Sequence, residues 1–363
     1  MSRLTLVTDL KAIADNARVI RSRIKPNVKL LCVVKADAYG HGAVQTARAL
    51  EEAGLADAFA VANPFEGELL RKGGIAERMI VVLGSPVTAE DAEISVRSGL
   101  SQAVEKPEDV LRMGSAANAL RMPAKLHFKI DTGMSRIGIR DENALSEMLK
   151  MLSREALLRM EGIFTHFCAA DSDEAFTAAQ FERFQKACAA VEQAGWHPIR
   201  HAAASSALLN ERYQLDMVRA GIVLYGGGPD ELKGSLKYAQ RLETQPMAFR
   251  VIEKGDTVGY GRRFTAQRTT RVMTVQCGYG DGYPRILSGR ADVIVEGKRA
   301  PIIGNICMDM LMADVTEIPE ANLQSKVVLL GDGITPEELA EKAETIPYEI
   351  MLGFTGRVNR KWE

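Results

Sequence analysis

The chain has 363 residues, 46% of them hydrophobic, enough for a substantial core and about two domains. Its 46 basic and 47 acidic residues leave a net charge of −1 and are mixed along the chain, which argues against a nucleic-acid partner and a charged tail. Nothing approaches the ~20 consecutive apolar residues of a membrane span, and MSRLTLVTDLKAIADN lacks the apolar core of a signal peptide.

In chain order, Leu4–Val7 predicts a short strand, and a helix follows from about Leu10 with Ile13, Ala17 and Ile20 on one face. The stretch LLCVVKADAYGHG (30–42) opens with a β-branched apolar run too short for a helix. It ends at Gly40 and Gly42, and a helical pattern follows (Val44, Ala47, Leu50). Further strand candidates are 58–63, 79–84, 101–104, 126–130, 162–167, 199–203 and 217–224. Helical periods lie between most of them, as in Leu145, Met148, Leu149, Leu152 and in Phe181, Phe184, Cys188, Val191. Eight strand–helix units fit a (β/α)8 TIM barrel, with a doubly wound sheet as runner-up, though no GxGxxG follows the first strand. After Gly226-Gly227-Gly228-Pro229 the strands shorten and tight turns join them (Lys254-Gly255-Asp256, Glu296-Gly297-Lys298). The reading is therefore an α/β chain with a barrel over 1–235 and a mostly β C-terminal domain over 236–363. Thr335-Pro336-Glu337-Glu338 predicts a helix start with an N-cap, a proline at N1 and a capping-box acid. Five scattered cysteines without CxxC spacing predict reduced thiols, a cytoplasmic setting and no metal centre.

In a barrel, side chains at the strand C-termini face one mouth. Lys35, at the last position of its strand, is a candidate Schiff-base amine, because a lysine is rarely buried without a partner. The same rule collects Tyr39, Lys129, Asp131, Arg136, His166, Ser205, Arg219, Gly221 and Ile222. Polar and charged groups converging from four or more strands point to a site rather than to packing alone.

VKADAYGHG (34–42), KIDTGMSRIG (129–138), THF (165–167), RAGIVLYG (219–226), VGYG (258–261), GYGDGYPR (278–285) and CMD (307–309) together resemble the motifs of the alanine racemase family. The resemblance covers nearly the whole chain in order. It implies a pyridoxal 5'-phosphate (PLP)-binding barrel joined to a β domain, and a homodimer whose active sites are shared. By the resemblance, Lys35 is the cofactor's lysine, and Tyr39, Ser205, Gly221 and Ile222 hold the phosphate. Arg219 faces the pyridine nitrogen; since it only donates, the ring nitrogen stays unprotonated and the electron sink weak. Tyr260, from the partner subunit, is the second base. An ordinary phenol costs about 4 kcal/mol to ionise at pH 7, so a neighbour must offset that, and His166, linked to Arg219, fits the role. Arg136 contacts the cofactor's phenolic oxygen and the substrate carboxylate, and the Met308 N–H, from the partner subunit, completes carboxylate binding. Lys129 corresponds to a lysine that the family N-carbamylates. Asp171, Tyr279, Arg285 and Asp309 match entrance or interface residues, and Asp281 shares that corridor.

The resemblance implies racemisation of L- and D-alanine for cell-wall peptidoglycan. Alternatives are a broader amino-acid (serine) racemase and a non-catalytic PLP-binding protein. Tyr260 and CMD argue against the latter, Arg219 argues against a PLP decarboxylase, and Ser205, Gly221 and Arg219 argue against a cofactor-free aldolase. The chain departs from the family pattern at Ala204, at Ala220 (RAG for the usual RPG-like turn), at Asn305, at Gly356 and at Asn359. These changes bear on phosphate affinity and on the charge of the entrance.

Overall fold

The computed structural model describes residues 4–363; the first three residues of the amino-terminal stretch lie outside the described residues. The chain divides into two compact units. One comprises residues 13–38 and 42–237; the other gathers the chain up to Ala12, Tyr39–His41 and Tyr238–Glu363.

The strand β1 (Thr5–Thr8) precedes the helix Leu10–Arg23. Eight strands follow: β2 (Lys29–Val33), β3 (Ala58–Val61), β4 (Met79–Val82), β5 (Ser101–Val104), β6 (Ala124–Lys129), β7 (Leu158–Phe164), β8 (Ile199–His201) and β9 (Met217–Ala220). They form one parallel sheet in the order β8-β7-β6-β5-β4-β3-β2-β9. The sheet closes on itself: the Asp216 N–H donates to the Arg200 carbonyl at 3.1 Å, and the Arg219 N–H to the Ala203 carbonyl at 3.0 Å. The TIM-like barrel is thus present. Its strands read as unbroken apolar runs because both faces are covered: Leu30, Leu31 and Cys32 are fully buried, as are Ile80, Val81 and Val82. Helices between them start where the sequence offers caps. Asn63 accepts from the Glu66 N–H ahead of a helix with Pro64 at its start, and Thr88 with Asp91 forms a full capping box.

The second unit is built on β10 (Gln240–Thr244), β11 (Pro246–Ile252), β12 (Thr257–Val258), β13 (Phe264–Thr265), β14 (Thr270–Val275), β15 (Asp292–Val295), β16 (Lys298–Ile303), β17 (Leu311–Asp314), β18 (Val327–Leu330) and β19 (Asn359–Trp362). Nine strands run β11-β14-β17-β16-β15-β18-β10-β1-β19, and β12 pairs with β13. Every pairing in the nine-stranded sheet is antiparallel except β1 with β19. Here the compact units differ from the 1–235 division: β1 pairs with β10 and β19, and Tyr39–His41 also cluster with this unit. Local alternation identifies a strand but says nothing about a partner more than two hundred residues away. The helix Pro336–Ala343 starts on Thr335, which accepts from the Glu338 N–H, but the expected capping box is only half made. The Glu338 carboxylate goes instead to Arg299 and Lys342, where charge-assisted bonds outcompete a neutral N–H.

Candidate active site

The strand β2 ends at Val33, so Lys35 is not the last strand residue as expected. It opens a short left-handed helical turn, Lys35–Gly40, with φ of 51° at Ala36, 53° at Asp37, 55° at Ala38 and Tyr39, and 82° at Gly40. Left-handed helix costs a non-glycine residue roughly 1–2 kcal/mol, so the surroundings must enforce it. They do so at both ends. The Glu66 carboxylate accepts from the Ala36 N–H at 3.0 Å, the Ala38 N–H donates to the Val34 carbonyl, and Asp37 Oδ1 accepts from the Ala43 N–H at 2.8 Å. Glu66 also accepts from the Ala62 N–H, and sequence reasoning missed it. Burial, then the Arg136 and Arg219 charges, lowers the Lys35 ammonium below its ordinary range, while Glu66 opposes this.

Lys129, at the end of β6, is buried and lies 5.4 Å from the Phe164 ring centroid. Burial followed by the Arg136 and Arg219 charges pulls its amine down to about 8. Arg136 sits in the loop after β6, which is shaped by Asp131: its Oδ1 accepts from the Gly133 and Ser135 N–H groups, both at 3.0 Å. The loop is tight at Gly138, where a Cβ would come within 2.6 Å of the Asp131 nitrogen at a φ of +132°.

Arg219, on β9, is 3% exposed and is the most heavily hydrogen-bonded group of the site. Its Nη1 donates to His201 Nδ1 at 3.0 Å and to the His201 carbonyl at 3.1 Å. Its Nη2 donates to the Thr165 and Ala202 carbonyls, each at 2.8 Å, and to His166 Nδ1 at 3.1 Å. The Nε–H is the donor that remains. Burial lowers the guanidinium to about 9, which still leaves it charged at neutral pH. Because Arg219 only donates, His166 Nδ1 must be bare and its proton sits on Nε2. Burial and the surrounding cations, Arg219 first, drive His166 down to about 3, so the ring is neutral at pH 7.

Ser205 and Gly221 meet, but the Gly221 N–H donates to Ser205 Oγ at 3.1 Å. The Ser205 hydroxyl proton is then the donor left over on this pair. Asp171 is exposed and accepts from the Ser172 hydroxyl.

Ile222 follows Gly221 in the barrel unit and is buried, and the remaining expected residues lie in the second unit. Tyr39 is buried there, its ring 5.9 Å from that of Tyr348, and burial pushes its phenol up. Tyr260 is 75% exposed, unusual for an aromatic of its size, and stands between Gly259 and Gly261 at φ of 73° and 71°. Its carbonyl accepts from Asn305 Nδ2 at 2.8 Å, a brace that sequence reasoning treated only as a departure. The loops carrying Tyr279 and Met308 are locked together: the Gly280 N–H donates to the Met308 carbonyl at 2.9 Å, and a Cβ on Gly278 would fall 2.3 Å from the carbonyls of Cys307 and Met308. Arg357 clasps Asp309 at 2.6 Å and Asp281 at 3.3 Å. Asp281 is itself buried and accepts from the Gly278 N–H, so it shapes the loop. Arg285 is exposed.

Family models match both parts of the chain: the alanine racemase N-terminal domain over residues 8–229 and the alanine racemase C-terminal domain over residues 239–362. The chain belongs to the alanine racemase family. Curated members include alanine racemases of Geobacter sulfurreducens, 40% identical with 99% of this chain and 97% of that one covered, and Halothermothrix orenii, 37% identical with 98% and 95% covered. Among solved structures, the alanine racemase of Clostridium difficile 630 superposes with a TM-score of 0.94 at 31% identity, covering 100% of this chain and 96% of that one. That of Streptomyces coelicolor A3(2) gives 0.92 at 33% identity, with 99% and 97% covered. The expected barrel and mostly β C-terminal domain are therefore those of alanine racemases, and the chain is an enzyme of the isomerase class.

Proposed function

We propose that the enzyme interconverts L- and D-alanine with PLP as cofactor and two bases, Lys35 on one face of Cα and Tyr260 of a second subunit on the other. Arg219 carries this reading. Its Nη hydrogens are committed to the protein, and the remaining Nε–H suits an unprotonated pyridine nitrogen, which a decarboxylase-like acid would not serve. The lowered Lys35 amine suits an imine-forming lysine, which needs a neutral nitrogen. The Ser205 hydroxyl, with Ile222 beside it and Tyr39, would hold the phosphate. When bound, PLP supplies the electron sink for the Cα lone pair.

The chain's own residues do the rest. The Lys35 amine takes or returns the Cα proton on one side. The Tyr260 phenol does so on the other, and the His166 Nε2–H is available to donate to its oxygen and ease ionisation. Arg136 and the Met308 N–H bind the substrate carboxylate. Lys129, with its amine near neutral, is suited to N-carbamylation, and the resulting anion would hold Arg136. The exposure of Tyr260 supports its insertion into a second copy of the chain, hence a homodimer, with Tyr279 and Asp309 at that interface and Asp171 and Arg285 near the entrance. D-alanine for peptidoglycan in the cytoplasm is the role that follows. Among the described residues no helix is long and apolar enough to cross a membrane.

The test follows α-proton exchange in deuterated water with PLP added, on both enantiomers of alanine and of serine. Exchange on alanine with inversion is expected. Cofactor binding without exchange would favour a carrier, and equal rates on serine a broader racemase.

A further inference from the structure

We propose that Glu161 is a positioning residue for the reaction: through His127 and His201 it sets the direction of a hydrogen-bonded chain that runs through the barrel interior to Arg219. The argument starts from a group with no choice. Arg219 Nη1 donates to His201 Nδ1 at 3.0 Å, so that nitrogen is bare and the His201 proton is on Nε2. His201 Nε2 is 3.1 Å from His127 Nδ1, which must then accept. The His127 proton is therefore on Nε2, an atom that makes no hydrogen bond among the described residues, and Glu161 Oε2 stands 3.4 Å from it. Both imidazoles are fully buried. Burial and the Arg219 charge keep His201 neutral.

With one N–H on each ring, two imidazoles in contact are equally well bonded in either direction. In the reverse order, however, His201 would turn an N–H toward Arg219, and two donors would face each other without an acceptor. Arg219 thus disfavours the reverse order from one end, and a carboxylate at the far end disfavours it from the other, because it accepts and cannot donate. Glu161 is kept ionised there. Burial raises its carboxyl, but the adjacent His127 ring and the bond from the Ser101 hydroxyl, with Lys125 3.8 Å away, bring it below the usual range.

Two backbone devices hold the pair in place. The β6–β7 ladder slips between Leu126 and His127, pairing Leu126 with Met160 and His127 with Gly162. Glu161 is thus the extra residue of a β-bulge, a feature that re-aims a side chain. Gly162 leaves the room for the His127 ring: a Cβ there would sit 2.3 Å from Nδ1 and Cε1. Neither device serves the strand pairing, which an ordinary ladder would satisfy better.

The test uses 15N NMR of the five histidines in the PLP-loaded enzyme, with wild type, Glu161→Gln and Glu161→Leu compared. Wild type is expected to show His127 and His201 protonated on Nε2 alone. Glutamine can still present an acceptor oxygen, so E161Q should keep both tautomers and kcat within about twofold. E161L should mix the tautomers of both histidines and lower kcat on the order of tenfold, with KM changed less. A proton on Nδ1 of His127 in wild type overturns the proposal, as does E161L with wild-type tautomers, or equal losses in both variants. Should E161L fail to fold, the wild-type and E161Q spectra decide alone. The kinetic arm rests on the racemase reading, whereas the tautomers do not: an inactive wild type with the expected tautomers would refute that reading and leave the hydrogen-bond order standing.

Discussion

Lys129 offers a quantitative test of how this barrel handles charge. With its amine near 8, about 10% of it is neutral at pH 7, against about 0.04% for an ordinary lysine near 10.4, roughly a 200-fold gain in the form that attacks carbon dioxide. The same shift bears on stability. A lysine brought from about 10.4 down to about 8 carries a cost of about 3 kcal/mol while it is protonated in the fold. The sign follows from proton counting: below pH 8 both states hold the proton and the whole cost is present. Between 8 and about 10.4 only the unfolded chain holds it, so stability rises with pH, and above that window the cost is gone. Lys129→Met, in protein freed of bicarbonate, should therefore be more stable than wild type by up to about 3 kcal/mol at pH 7 and by almost nothing above about pH 10.5. Urea unfolding across that range reads the difference directly. In parallel, 13C-bicarbonate should label wild type and not the variant. A stability difference independent of pH, or no label in wild type at pH 8, would refute the reasoning.

Sites shared between two subunits, as proposed above, make a clean prediction for hybrids. Lys35→Ala and Tyr260→Phe should each be nearly inactive, and their unfolded and co-refolded mixture should regain about one quarter of wild-type activity, since half the dimers are hybrid and each has one intact site. No recovery would place both bases within one chain. Gly162→Ala should destabilise the barrel by about 2 kcal/mol by driving its Cβ into the His127 ring, measured by urea unfolding. Asn305→Ala should leave the melting temperature nearly unchanged but lower kcat several-fold, because it frees the turn that presents Tyr260.

The barrel strands were legible because parallel strands buried on both faces leave continuous apolar runs, as in Leu30–Val34. The second unit was legible through its short strands and glycine turns. What stayed hidden has common physical causes. The left-handed turn at Ala36-Asp37-Ala38-Tyr39 is enforced by Glu66, on the following strand–helix unit, and no residue within it signals positive φ. The bulge at Glu161 breaks no alternation that a reader of residues could see. His201 ends a barrel strand just as His166 precedes a mouth loop, so the strand-end rule could have found it. Tyr260, Met308 and Asp309 were reached through motifs rather than periodicity, because short turns in a β unit carry little pattern of their own.

The mouth of the barrel unit holds more positive than negative charge. Lys35, Lys129 and His166 each have their protonated form disfavoured first by burial and then by Arg136 and Arg219, while Glu66 and Glu105 are the acids that push the lysines back. Asp131 adds little, since its carboxylate is taken by two loop N–H groups and Arg140. Such a cluster is poor for stability by itself and suited to a ligand bearing a phosphate and a carboxylate. It follows that a phosphorylated ligand should stabilise the cofactor-free protein beyond what its ring contacts provide. At 100 times its Kd, PLP should add about 2.7 kcal/mol. Pyridoxal lacks the phosphate but keeps the ring and aldehyde proposed to meet Lys35, so at equal concentration it should raise the melting temperature far less. Equal shifts would mean that the phosphate meets no matching charge or donor, and the assignment of Ser205 and Ile222 to it would fall. A large shift from inorganic phosphate alone, lost in Ser205→Ala, would locate the stabilising charge at that end of the mouth.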